Sequence, residues 1–437
     1  MLIGQVAQVG TGVADTIMAG AVGSIDLAAV AMGFSIWLPM YLLSIGILSA
    51  VTARIARAVG GRDIATQAVM LQQGFWLAGG VAIVLLVLIP QGHYLLPLMQ
   101  VDAQVQPLTQ LYLQGITFGI PAIMGFQVLR ALSEGSGNSR AVMVIQVIAL
   151  IANVPLNYVL IHGLFGLPAL GGAGCGWATG CVMWLQLLLL AGLTRPRWKA
   201  LLAHKILIGQ RRPQWPVLKS LLWLGLPIGG AMFAETSIFS GAALLIGRLG
   251  ATPLAAHQIA LNYSALMFMV PMSLGLALTV KIGHALGADE PLRARRFAGF
   301  GTLTATVFAL CSAIVMLVLP YPIAAAYTGD EAVRLLTVQI LVYAASFQLF
   351  DGLQVTAIGS LRGYHDTRAT MVITLVAYWL VGLPLGYVLG LTDWLTVPQG
   401  VFGLWMGLIA GLAVAAALLN WRLVRISRTF LQAAAPP

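Results

Sequence analysis

Twelve long apolar segments, separated by short polar turns, confine this 437-residue chain to a membrane more firmly than any motif in it. They lie near residues 2–20, 27–53, 67–90, 107–129, 141–161, 173–193, 220–247, 254–280, 297–319, 334–358, 369–390 and 401–421. Each can carry an α-helix through a hydrocarbon layer of about 30 Å. Inside such a layer a helix satisfies its own backbone hydrogen bonds, so the expected fold is all-α and polytopic. Composition agrees: charged residues are 8% of the chain and apolar ones 59%, where soluble domains carry about 25% charged residues. No phosphate-cradling glycine loop and no soluble nucleotide-binding domain accompany the spans. The chain is therefore read as no enzyme, and ATP is not its direct energy source. Cys175, Cys181 and Cys311 lie in apolar stretches and are read as buried hydrophobes rather than ligands or a disulfide framework.

A net charge of +10 would suggest nucleic acid in a soluble chain, but its distribution points elsewhere. Of the 23 Lys and Arg residues, all except Arg248 and Arg334 fall on one alternate set of turns, Lys205 and Arg211 among them. By the positive-inside rule that set is cytoplasmic, and so are both termini of a protein in the inner (plasma) membrane. The basic turns meet anionic headgroups, and no nucleic-acid partner is needed.

The halves repeat. TARIARAVG at 52–60 matches TVKIGHALG at 279–287, and AGAVGSIDLAA at 19–29 matches IGRLGATPLAA at 246–256, both at a shift of 227. GFQV at 125–128 matches GLQV at 352–355 at the same shift. Six spans per half make the two repeats parallel, with a cleft expected between lobes 1–193 and 220–437 and a cytoplasmic linker over 194–219. In this register Pro227 falls just before Met1, so the first half has no counterpart of KSLLWLGLP (219–227) and its first helix is short at the cytoplasmic end.

Three of the 13 acidic residues stand inside apolar spans: Asp15, Glu235 and Asp351. A carboxylate at the centre of such a helix carries an insertion cost of about 2.5–3.5 kcal/mol, and intramembrane ionisable groups mark ion, proton or substrate sites. Glu235 interrupts the apolar run Leu221 to Leu249, thirteen residues from Arg248. Asp351 lies eleven residues from Arg362, about 16 Å along a helix. Two carboxylates in one lobe can hold a cation, Na⁺ for example, between them or exchange it for a proton. In the first half Asn153 and Asn157, spaced i, i+4 around Pro155, share a helix face. With Asp15 they form a second candidate cation or proton site, or alternatively an interhelical hydrogen-bond network. Asp330 and Glu331, in a turn on the other side from the basic loops, are read as solvated or as a lure for cations at a cleft mouth. Glu134 is expected to face the cytoplasm at the end of its helix.

VADTIMAGAVGSIDLAAVA at 13–31, the Glu235 helix with LGATPLAAHQIALN at 249–262, and FDGLQVTAIGSLRGYHDT at 350–367 resemble the multidrug and toxic compound extrusion (MATE) family, in its NorM-like branch. The resemblance implies twelve helices in two lobes forming a V-shaped cleft. It also implies export of bulky organic cations against inward Na⁺ or H⁺, with no other cofactor. Glu235 and Asp351 match the branch's second-lobe acidic residues; Asp15, Asn153 and Asn157 match its first-lobe group. Asp15 and Phe347 are expected at the substrate, with Phe347 standing where the pattern has tyrosine. The protein is read as a monomer. The alternative is a lipid-linked flippase of similar build, which would need a basic cleft that the spans do not supply. A non-transporting scaffold would leave the twinned halves and buried acids unexplained.

Overall fold

The computed structural model of the chain describes residues 1–98, 102–203, 212–395 and 397–433. Lys205 and Arg211, placed above in the basic linker, lie outside the described residues. Among the described residues there are helices and turns but no strand. The chain divides into two compact units, Met1–Leu226 and Pro227–Pro437.

The first unit contains α1 (Leu2–Val22), α2 (Ser24–Gly60), α3 (Ile64–Leu88), the short α4 (Leu95–Leu98), α5 (Val105–Gly135), α6 (Arg140–His162), α7 (Gly174–Leu193) and α8 (Arg195–Leu202). The unit boundary falls inside α9 (Trp215–Gly247), which holds Pro227. The second unit continues with α10 (Ala251–Gly287), α11 (Pro291–Val318), α12 (Pro320–Tyr327), α13 (Glu331–Gly363) and α14 (Thr367–Leu375). A π-helical turn at Val376–Gly382 leads into α15 (Leu383–Leu391), and α16 (Val401–Ala433) follows.

The 227-residue shift reappears in the backbone. α2 and α10 are both 37 residues long and start and stop 227 residues apart. α3 and α11, α6 and α14, and α7 and α16 begin at the same interval. Their ends repeat as well. Arg62 and Asp289 both take a left-handed φ of 55°. After each, a backbone N–H reaches five residues back, Asp63 to Ala58 O at 2.9 Å and Glu290 to Ala285 O at 2.8 Å, which satisfies carbonyls that a helix end leaves open.

Eleven helical stretches among the described residues are long and apolar enough to cross a membrane. α1 is not among them, because Gln5, Gln8, Thr11, Asp15 and Thr16 dilute its apolar run. Large apolar side chains within the helices face outward, Ile17, Ile83, Leu244 and Phe300 among them, each more than 60% exposed. In water such a surface would aggregate; in hydrocarbon it is matched to its solvent. Each unit also has its own core. The first is built on α2, α3 and α5 with Ile55, Leu71, Ile116 and Phe126; the second on α10, α13 and α16 with Ile340, Leu341 and Trp405. With no hydrophobic force between helices in lipid, close approach comes from small residues. A Cβ on Gly115 of α5 would lie 2.3 Å from the Trp177 backbone nitrogen of α7.

Leu201 of α8 and Leu221 and Leu224 of α9 join the first unit's core. Gln73 Nε2 donates to Arg212 O at 3.1 Å, and its Oε1 accepts from Gln214 N at 2.8 Å. One sequence expectation fails here. Glu134 does not face the aqueous side; it is buried inside α5 and accepts from Arg130 Nε at 3.0 Å. The two are one turn apart on one helix face, so the ion pair satisfies both without leaving the core.

Candidate functional site

Each unit holds a buried polar site among apolar helices. In the first, α1 supplies Asp15, α6 supplies Asn153 and Asn157, and α7 supplies Thr179 and Cys175. Asp15 is 5% exposed and both asparagines are fully buried. Asp15 Oδ1 accepts from Asn157 Nδ2 at 2.7 Å, and Oδ2 accepts from the Thr179 hydroxyl at 2.8 Å. Asn157 Nδ2 also donates to Asn153 Oδ1 at 3.0 Å, so both of its amide hydrogens are used. Asn157 Oδ1, by contrast, is buried without a hydrogen-bond partner. The site thus combines a carboxylate with an uncommitted amide oxygen, a donor set for a small hard cation or a proton-bearing water. Pro155, in α6 between the asparagines, leaves the pair on one face as their spacing predicts.

In the second unit α9 supplies Glu235, α13 supplies Asp351, Gln354 and Arg362, and the π-helical turn supplies Tyr378. Asp351 is 6% exposed. Glu235 interacts electrostatically with both Asp351 and Arg362. The Tyr378 hydroxyl donates to Gln354 Oε1 at 2.7 Å and also interacts with the Glu235 carboxylate. π-Turns widen a helix and re-aim its side chains, and this one turns a tyrosine toward the acids. Arg362 lies eleven residues, about 16 Å, along α13 from Asp351 and acts electrostatically on Glu235 alone; the two carboxylates together form a candidate cation or proton site.

Of the remaining sequence candidates, Phe347 stands one turn before Asp351 on α13, while Asp330 and Glu331 lie apart from these groups. Phe347 is 3% exposed and packs edge-on against Trp405 at 5.8 Å and Phe239 at 5.9 Å. Asp330 caps α13, accepting from Ala332 N at 2.9 Å and Val333 N at 3.3 Å. Glu331 pairs with Arg334 at 3.0 Å. Both stand at the start of α13, about 30 Å from Asp351 at the rise of a helix.

Thr179, Tyr378, Gln354 and Arg362 were not singled out as site residues from the sequence. Thr179 and Tyr378 come from helices far along the chain, where no spacing links them to an acid. Gln354 did carry a signal, since the repeat pairs it with Gln127. The two glutamines each meet a tyrosine hydroxyl: Gln127 Nε2 donates to Tyr41 at 3.3 Å.

Fold and sites together define a polytopic helical membrane protein of two repeated units, each holding a buried carboxylate site. The MatE family model matches residues 1–159 and again 227–388, once in each half. The chain belongs to the MatE family. It is 46% identical to the multidrug resistance protein PmpM of Pseudomonas aeruginosa, over 99% of this chain and 91% of that protein. It is 41% identical to NorM of Vibrio vulnificus, over 97% of this chain and 92% of that one. Among solved structures it is similar in fold to a MATE transporter in the bent conformation, with a TM-score of 0.89 at 18% identity, covering 99% of this chain and 95% of the other. The eukaryotic MATE transporter AtDTX14 gives a TM-score of 0.83 at 21% identity, with 100% and 96% covered.

Proposed function

We propose that the chain is a multidrug efflux antiporter that exports organic cations across the inner membrane, driven by inward Na⁺ or H⁺. The observation that carries this reading is the pair Glu235 and Asp351, two intramembrane acids in one unit that interact with each other. Such acids are costly in hydrocarbon, and they persist where they bind and release something. Binding of that ion favours the state that releases drug outward, and its discharge inward favours drug uptake. Coupling arises because ion and drug differ in affinity between the two states. The multidrug resistance names of the PmpM and NorM relatives support the drug class. The bias of Lys and Arg to alternate turns supports cytoplasmic termini. Because one chain carries both repeats, it works as a monomer in this reading.

The test is efflux of ethidium or norfloxacin from cells expressing Glu235→Gln or Asp351→Asn. Each substitution keeps the shape and removes the exchangeable charge, so gradient-driven efflux is expected to fall to the level of cells without the protein. Wild-type efflux in both variants would remove the coupling role.

A further inference from the structure

The acids of the second unit lie deep among helices, so a small cation needs a route to them. The half of α10 away from the basic turns carries polar groups that helix formation does not require. His257 is fully buried, and neither Nδ1 nor Nε2 has a hydrogen-bond partner. Its ring stands edge-on to Trp405 at 5.7 Å, and the Trp405 indole Nε1 is also buried and unpartnered. Ser264 Oγ and both amide atoms of the fully buried Gln348 are in the same condition.

Helix register brings these groups to one seam. α10 and α13 meet at Gly275 and Gly359, where a Cβ on Gly359 would lie 2.2 Å from the Gly275 carbonyl oxygen. The Thr279 hydroxyl donates to Gly359 O at 2.8 Å, and a Cβ on Gly363 would lie 2.8 Å from Ile282 Cβ, so the helices run in the same direction. Ser264 precedes Gly275 by eleven residues, and Gln348 precedes Gly359 by eleven. That interval is three turns to within about 20°, with a rise of about 16 Å, so both side chains stand on the contact face at one level. His257, eighteen residues before Gly275, is five full turns away and stays on the same face. Gln348 is one turn from Asp351 along α13.

Buried polar groups are almost always bonded to protein or to ordered water. Several unpartnered ones on α10, α13 and α16, ending beside an acid, are better matched to water than to a packing fault. Among them the Ser264 hydroxyl oxygen and the Gln348 amide oxygen can face a small cation, and the Trp405 N–H can donate to water. We propose that the seam between α10, α13 and α16 is a hydrated passage by which the coupling cation reaches Asp351 from the side away from the basic turns. The inference rests on the coupling role assigned above to Asp351.

Two measurements test it. In radiolytic hydroxyl-radical labelling of the wild-type protein in nanodiscs, local water is the source of the oxidant. Trp405 and His257 are expected to be modified severalfold faster than the equally buried Phe126 of the first unit, after correction for intrinsic reactivity. In proteoliposomes, Gln348→Leu is expected to lower gradient-driven ethidium efflux about tenfold, the kinetic equivalent of one lost hydrogen-bonding site. Ethidium binding should be unchanged, and Gln348→Asn, which keeps the amide, should restore most of the rate. Labelling of Trp405 and His257 no faster than Phe126, or wild-type efflux by Gln348→Leu, would overturn the passage. Glu235→Gln run in parallel separates the two readings: transport lost there but normal in Gln348→Leu overturns the passage alone, and transport normal in both overturns the coupling role itself.

Discussion

Asp15 and Glu235 are both acids inside membrane helices, yet neighbouring side chains hold them by different means. Both oxygens of Asp15 accept hydrogen bonds, from Asn157 and Thr179. Glu235 has the Arg362 charge and the Tyr378 hydroxyl as electrostatic neighbours instead. A bond to a carboxylate contributes about 1.5–3 kcal/mol. Thr179→Val keeps the shape of the side chain and deletes the donor, so it is expected to destabilise the protein by that amount. Thr179→Ser should stay near wild type. Thermal unfolding in detergent distinguishes them, and equal stability of the valine and serine variants would contradict the role given to this hydroxyl. The asparagines of this site were legible from their i, i+4 spacing, since partners on one helix announce themselves by interval. Thr179 and Tyr378 were not, because a contact between helices far apart in the chain leaves no interval to read. Asp330 stands exposed at the start of α13, as a solvated acid would, and its oxygen also caps that helix.

At the scale of elements, apolar runs located the helices, and the repeat foretold which of them would match. What it could not foretell were the short α8 and α12 and the π-helical turn of Val376–Gly382, which depend on local packing rather than on hydropathy. Helix caps emerged only in the structure. Asp63 stands before α3 and accepts from Thr66 N at 2.9 Å and from the Thr66 hydroxyl. These bonds hold its carboxyl below the usual carboxylate range. A lowered value means that the folded state favours the ionised form. Its contribution is therefore present above the ordinary carboxylate pKa of about 3.9 and is lost as pH falls through the native value. Asp63→Ala is expected to cost about 0.5–2 kcal/mol at neutral pH, the range for loss of an N-cap. The difference in melting temperature between wild type and variant should close on acidification. A gap that stays constant down to the acid limit would show that the cap does not act through its charge.

For the molecule as a whole, one scaffold is used twice with different chemistry. The second-half positions matching Asp15 and the first-half positions matching Glu235 and Asp351 are not acidic: they are Ala242, Gln8 and Met124. Gln8 still makes a polar contact, accepting from Gln146 at 3.0 Å, so the first unit keeps the place and gives up the charge. The bias of Lys and Arg to alternate turns, the duplication and the acids within apolar spans were all visible in the sequence, because each is a property of composition or order along the chain. The grouping of Glu235 with Asp351 needed coordinates. That grouping is the centre of the account, and flux in a sealed compartment tests it most directly. Purified protein in liposomes, loaded with ethidium, is given an inward Na⁺ gradient or an inward proton gradient separately. The account predicts that at least one gradient drives ethidium movement and that Glu235→Gln and Asp351→Asn each abolish it. Gradient-driven movement that persists unchanged in both variants, or none in the wild type under either gradient, would contradict it.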